Sequence, residues 1–319
     1  EFEELTGITV EVEQIAEQQL GEKLFIEMSG RSSTYDAWAM WGFSVPNYVA
    51  TGAVEPLSKY MNDPSLSDPD WYMWEDIHPA SRSFVTIEGE IWALPIQAVY
   101  QQTFYYRRDW FQEKGITKVP EKWEELEKAA AKLTDRSKKQ YGFIQRGARG
   151  PAGAANMWLY WLYSFGGRFF DDKWKPVFNG PEGVAALEFY VRMLRNYGPE
   201  GISTFGPIET QHAIKAGYVG MGIEVINLAS QLIDPKKSKI ADVAGIAPPP
   251  AGPAGSKVAV YSWTWGLNRY GKNKEPAWLW IYWLTAPGQA LRWTTKLGVP
   301  GRFSVQRSSY YREHVKSWF

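Results

Sequence analysis

No uninterrupted apolar stretch in this chain exceeds eight residues, while strand-like and helix-like segments alternate from one end to the other. That pattern excludes a helical membrane span, which needs roughly 20 apolar residues, and selects an α/β class with mainly parallel sheets. Residues 14–29 have helix-forming composition, with Gly30 as a left-handed stop. Tyr35-Asp36-Ala37-Trp38-Ala39-Met40 reads as a short buried strand. Residues 121–133 form a helix with Trp123, Leu126, Ala130 and Leu133 on one face. Pro181 opens another over 181–194, where Val184, Leu187, Val191 and Leu194 share a stripe. A short helix near 208–216 leads into the strand Tyr218–Ile223. Pro276 opens an apolar helix to Leu284, and a further helix runs from Pro287 to Leu297, stopped by Gly298. The stretch Pro248–Gly255 reads as a surface connection, rigid in its first half.

At 319 residues the chain suits two domains or one large one. Its 35 basic and 35 acidic residues balance, against the basic excess of a nucleic-acid binder or a polybasic membrane-surface protein. Cysteine is absent, which removes disulfides, thiolate metal sites and cysteine nucleophiles. The start, Glu1-Phe2-Glu3-Glu4-Leu5, lacks the basic and apolar regions of a signal peptide; either nothing targets the protein or the segment has been removed. Seventeen Trp and 18 Tyr are more than core packing alone accounts for. They fit either a core rich in large rings or a surface that must be apolar on the face and wet at the rim, as a sugar is.

Enzymatic signatures are missing. His78, His212 and His314 stand too far apart for a helix-borne zinc site. There is no nucleophile elbow or phosphate loop, and Gly217–Gly222 is not a dinucleotide fingerprint. The oxygen-rich run Asp63–Asp70 lacks the Gly and Glu of a calcium loop. A glycosidase carboxylate pair stays open, because convergence across a cleft has no sequence signal.

Several segments taken in order are more specific. The chain begins Phe2-Glu3-Glu4-Leu5-Thr6-Gly7-Ile8-Thr9-Val10-Glu11-Val12, then reaches Tyr35-Asp36, Trp41, Pro46 and Thr51-Gly52-Ala53-Val54-Glu55-Pro56-Leu57. Ile91-Trp92-Ala93-Leu94-Pro95, Tyr105-Tyr106-Arg107-Arg108-Asp109-Trp110-Phe111 and Trp123-Glu124-Glu125-Leu126 follow. Next come Phe165-Gly166-Gly167, Asn179-Gly180-Pro181-Glu182, and Ala216-Gly217 with Met221. Gly245–Pro250, Trp265-Gly266-Leu267 and Gly298-Val299-Pro300-Gly301-Arg302-Phe303-Ser304 complete the series. The whole resembles the extracellular solute-binding proteins of carbohydrate-uptake ABC transporters, the group that includes maltose-binding protein.

The resemblance implies two α/β lobes with mixed, mainly parallel sheets flanked by helices, joined by hinge crossings, with ligand held between the lobes. It places residues 1–102 plus 264–297 in one lobe and 103–263 plus 298–319 in the other. Members usually begin with a strand and most of a helix ahead of the Phe-Glu segment, and carry a further C-terminal helix. The expectation is that these lie outside the given chain or come from a separate piece. Lys122 stands where Ser or Thr commonly caps the next helix, so that cap is weaker.

The matching loops nominate ligand-binding residues: Trp41, Phe43, Tyr100, Gln101, Gln102, Asn156, Trp158, Glu224, Asn227, Trp263, Trp265 and Arg302. An indole under a pyranose face contributes on the order of 1 kcal/mol beyond area, and each buried hydroxyl needs a polar partner or costs about 1–3 kcal/mol. Trp41 and Trp265 read as site residues; Met157, Trp161, Trp278, Trp280 and Trp283 read as core. The implied protein is a monomeric, extracytoplasmic receptor, periplasmic or anchored at the cell surface. It takes no cofactor and no metal. It captures a mono- or oligosaccharide, the ring count favouring the latter, and delivers it uncut to an ABC permease. The competing readings are a glycan-processing enzyme with a carboxylate pair and a two-lobed receptor for a non-sugar solute.

Overall fold

The computed structural model describes the chain except residues 16, 98, 101, 151, 298–299 and 316–319, and except the side chains of 17, 18, 99, 100, 294–297 and 314. In chain order, helix α1 (Phe2–Thr6) ends at Gly7, whose φ of 70° is the left-handed conformation that glycine adopts without strain. Helix α2 (Glu17–Ser29) follows, and its left-handed terminator is Arg31 at φ 53° rather than Gly30. Strand β1 (Ala37–Trp41), helix α3 (Pro79–Val85) and the short strand β2 (Leu94–Pro95) complete the first stretch.

The middle stretch starts with β3 (Thr103–Arg107). Helices α4 (Trp123–Leu133), α5 (Ala154–Ser164), α6 (Pro181–Tyr197) and α7 (Pro207–Ala216) follow, then β4 (Met221–Glu224) and β5 (Ala244–Ala247). Lys122 indeed gives α4 no side-chain cap. Instead Glu125 reaches back to accept the Glu121 N–H at 2.8 Å, and that bond holds its carboxyl below the usual range. The last stretch carries β6 (Trp263–Leu267), α8 (Lys274–Thr285) and α9 (Pro287–Leu297). Gly298 lies outside the described residues.

The chain divides into two compact units. The first comprises Glu1–Val99 and Val260–His314; the second is built on Tyr100–Ala259. In the first, β6 lies between β1 and β2 and is antiparallel to both, with Trp41 opposite Trp263 and Ala39 opposite Trp265. One face of the sheet buries Trp38 and Met40 with Leu24, Val45 and Val85. The other buries Leu94 and Leu267 with Trp278 and Ile281 of α8. In the second unit β3 lies between β4 and β5, again antiparallel to both. Tyr105, Ile214, Leu228 and Ile246 form its core around the sheet, and Trp123 stacks on Trp161 at 4.2 Å where α4 meets α5.

Two expectations are corrected here. Among the described residues the ladders are antiparallel, and parallel pairing is confined to single bridges such as Tyr141–Val219 and Ile144–Gly222. In both units the central strand runs against its neighbours, and in the first it enters from the last stretch of chain. The proline stretch is a surface connection only in part, at Pro248, Pro253 and Ala254, which are exposed. Pro249 and Pro250 are buried, the Ala251 N–H donates to the Glu121 carbonyl at 2.7 Å, and Tyr160 Oη donates to the Pro250 carbonyl. Burial pushes the Tyr160 phenol up to about 12.

His78 caps α3: its Nδ1 accepts the Ala80 N–H at 3.2 Å, a role only the unprotonated nitrogen can fill. Burial lowers the imidazole pKa from 6.5. A depressed folded pKa means that the stability contributed by His78 is complete above 6.5 and is lost as pH falls through the folded value. A proton NMR titration, assigned with His78→Gln, is expected to place this histidine's midpoint below that of a free imidazole; a midpoint at or above 6.5 refutes the cap.

Candidate functional site

The first unit carries an aromatic cluster at the end of β1. The chain turns there through Gly42–Ser44, and the Gly42 N–H donates to the Ser262 carbonyl at 2.8 Å. A Cβ on Gly42 would sit 2.8 Å from that oxygen, so only glycine allows so close an approach. The turn sets Phe43, 43% exposed, in a stack on Trp41 at 5.9 Å. Trp263 lies 5.7 Å from Trp41, and Tyr261 meets the Phe43 ring edge-on at 6.3 Å. Trp41 and Trp263 are half-buried. Beside them Ser262 Oγ donates to the Gln97 carbonyl, while Gln97 Oε1 is buried without a partner. These rings and amides form one face that is apolar in its centre and polar at its margin.

In the second unit the candidates gather on the ends of β3 and β4 and the start of α5. Gln102 is buried; its Oε1 accepts the Ala259 N–H at 2.8 Å, and its Nε2 has no partner. Trp158 Nε1 and Asn227 Oδ1 are likewise buried and unpartnered. The indole of Trp158 is held edge-on by Phe169 and Phe178. Asn156 is half-buried one turn earlier than Tyr160 on the same helix. Two donors and one acceptor are thus desolvated without a bond, a state that costs about 1–3 kcal/mol each unless something supplies the partner.

Three nominated residues do different work. Glu224 is fully buried, and both its oxygens are taken by Arg146: Nε to Oε2 at 2.8 Å and Nη2 to Oε1. Arg146 Nη1 donates onward to the Ala152 carbonyl at 2.8 Å, so the pair fixes the loop from which α5 starts. Arg302, 2% exposed, belongs to the first unit. Its guanidinium donates to the carbonyls of Thr285 (3.1 and 3.0 Å), Tyr72 (2.8 Å) and Met73 (2.9 Å), over the Tyr72 ring. That leaves little of it to grip a ligand. Trp265 packs edge-on against Trp280 of α8 at 4.6 Å, facing the helix layer of its own unit. Trp263 and Arg302, assigned by the resemblance to the second lobe, lie in the first unit. Gln101 and the side chain of Tyr100 lie outside the described residues. Arg146, Gln97 and Tyr261 were not nominated. Arg146 is 78 positions from Glu224, and no local motif announces a pair at that separation.

The family's sequence profile, bacterial extracellular solute-binding protein, matches residues 1–291. The chain belongs to that family. It is 29% identical over 304 residues to a mannitol-binding protein of Pseudomonas aeruginosa, covering 94% of this chain and 67% of the relative. A solute-binding protein of Agrobacterium vitis S4, solved with bound D-mannitol, superposes with a TM-score of 0.83 at 31% identity, covering 98% of this chain and 75% of that one. One from Agrobacterium radiobacter K84, solved with ribitol, gives 0.87 at 26% identity, covering 99% and 81%. The chain spans about two thirds of the length of the curated relatives it matches. The family is the one to which the motif order points, and the two-unit α/β fold is shared with its solved members. Among the described residues no helix is long and apolar enough to cross a membrane.

Proposed function

We propose that the protein is an extracytoplasmic receptor that binds an acyclic polyol or a sugar and presents it, unconverted, to the permease of an ABC transporter. The observation that carries this reading is the set of buried unpartnered groups, Gln102 Nε2, Trp158 Nε1 and Asn227 Oδ1, each of a type that bonds a hydroxyl. In the first unit, Trp41, Phe43 and Trp263 present an aromatic face of the kind that suits the C–H surface of such a ligand. Relatives whose names or bound ligands are mannitol, ribitol and erythritol or threitol favour the polyol. The high ring count does not by itself demand a long saccharide: Trp123, Trp161 and Trp278 are fully buried and serve as core.

A thermal-shift series with D-mannitol, ribitol, erythritol and maltose tests the reading. A ligand at 100 times its dissociation constant adds about 2.7 kcal/mol and a readily measured rise in Tm. Chromatography of the recovered ligand is expected to show it intact, and a converted product would move the protein into the enzyme class. Trp41→Ala is expected to raise Kd about tenfold, equivalent to about 1.4 kcal/mol, by calorimetry below the melting transition. An unchanged Kd would remove Trp41 from the site.

A further inference from the structure

The connection between α5 and α6 carries the most exposed large apolar side chain among the described residues, Trp174 at 78%. Phe170, 44% exposed, lies 5.7 Å from its ring. Trp174 also sits at φ 59°, the left-handed region that a bulky side chain adopts only under strain. Glycine would occupy that place without strain. A turn selected for folding alone would carry glycine there, and a merely solvated one a polar side chain.

The turn is held firmly. Phe170 pairs with Pro176 in an antiparallel bridge. The Asp171 N–H donates to the Lys175 carbonyl at 2.9 Å, and the Trp174 N–H to the Asp171 carbonyl at 3.0 Å. Asp171 Oδ1 accepts the N–H groups of Lys173 and Lys175, both at 2.9 Å. At the base, Phe169 packs edge-on against Trp158 of α5 at 6.0 Å. The rings are thus presented in a fixed posture, so little ordering is needed on contact.

Charge and size select the partner. Lys173 and Lys175 flank the indole in sequence, both exposed and without an ion pair among the described residues. Asp172 is paired with Arg168 at 2.9 Å, and Asp171 is turned onto the backbone. Two rings bury about 150–250 Å² each, well short of the roughly 1,000 Å² of a specific protein interface. A bilayer needs no such area. Indole settles at headgroup level, where its face is apolar and its N–H wet, and each lysine near an anionic surface strengthens binding about fivefold. The balanced charge of the whole chain does not oppose this, because the effect acts within about 8–10 Å at physiological salt.

We propose that the tip Phe170–Lys175 docks reversibly on an anionic phospholipid surface, with Trp174 and Phe170 at headgroup level and Lys173 and Lys175 on the phosphates. The contact is independent of the ligand-binding reading.

Flotation of the chain with phosphatidylcholine vesicles, with and without phosphatidylglycerol, tests it. The parent is expected to float with the anionic vesicles at low salt and less at high salt. Trp174→Gly suits the backbone and should melt no lower than the parent, while its vesicle affinity should fall about tenfold. Lys173→Gln with Lys175→Gln should remove the preference for anionic vesicles at an unchanged Tm. A parent that stays unbound at low salt, as a tip meant for a protein partner would, overturns the proposal. So does a Trp174→Gly variant that binds as tightly as the parent, or equal binding of the parent to both kinds of vesicle.

Discussion

Arg302→Met is expected to lower the melting temperature of the first unit by on the order of 10 °C. The guanidinium holds three backbone carbonyls, those of Tyr72, Met73 and Thr285, and is 3.8 Å from Asp76. It thereby joins the end of α8 to the Pro69–Tyr72 helix and to the segment leading into Phe303–Arg307. Met fills much of the volume but leaves the carbonyls buried without donors. Truncating one member of such a buried charged network costs about 3–5 kcal/mol, and a unit of this size loses about 2–4 °C per kcal/mol. Calorimetry reads the shift. Ligand affinity measured well below the transition should stay within twofold of the parent. A variant that melts normally but binds tenfold more weakly would restore Arg302 to the ligand site and refute the structural assignment.

Breaking the Arg146–Glu224 pair from one side should destabilise the second unit by a similar amount. Glu224→Ala leaves the Arg146 guanidinium, 5% exposed, without its counter-charge, at about 3–5 kcal/mol. The double variant Arg146→Met with Glu224→Leu removes both charges and should recover most of that loss, because well-packed apolar residues often replace a buried ion pair at no net cost. Binding separates the roles further. Since the pair anchors the Ala152 loop ahead of Asn156 and Trp158, the stable double variant should bind ligand more weakly than the parent despite normal melting. If it binds as tightly as the parent, the pair is purely structural. If Glu224→Ala melts normally, the carboxylate is not the partner of Arg146 in solution.

On α4 the periodicity was legible, and Trp123, Leu126, Ala130 and Leu133 are all buried; on α6 the helix was legible but its face was not, since Val184 and Leu187 are exposed while Ala186, Phe189, Tyr190 and Met193 are buried. The order of the loose motifs carried the architecture. Strand direction was not legible. Alternating elements suggest parallel crossovers, and nothing local reveals that β6, more than two hundred residues after β1, inserts beside it. Arg302 was misread for a related reason. Its partners are main-chain carbonyls, which leave no mark in residue type, so an arginine after Gly-Val-Pro-Gly looks like a rim group. Trp265 was read as a site residue because nothing local shows that α8 covers its ring. Gln102, Trp158 and Asn227 were nominated by their place in the family pattern, and the structure adds the reason to care: each keeps a buried polar atom in reserve.

The division of the chain also sets an order of events during synthesis. The second unit draws all its described residues but Val315 from the continuous run Tyr100–Ala259, so its sheet and core can close as soon as that run leaves the ribosome. The first unit cannot, because the middle strand of its sheet is Trp263–Leu267. Residues 1–99 must therefore wait, with β1 and its apolar faces uncovered, until residues 263–267 have been made. Domains commonly mature from the amino end first; here the unit that holds residues 1–99 closes after the unit that follows it, and a nascent-chain binding factor would find its target there.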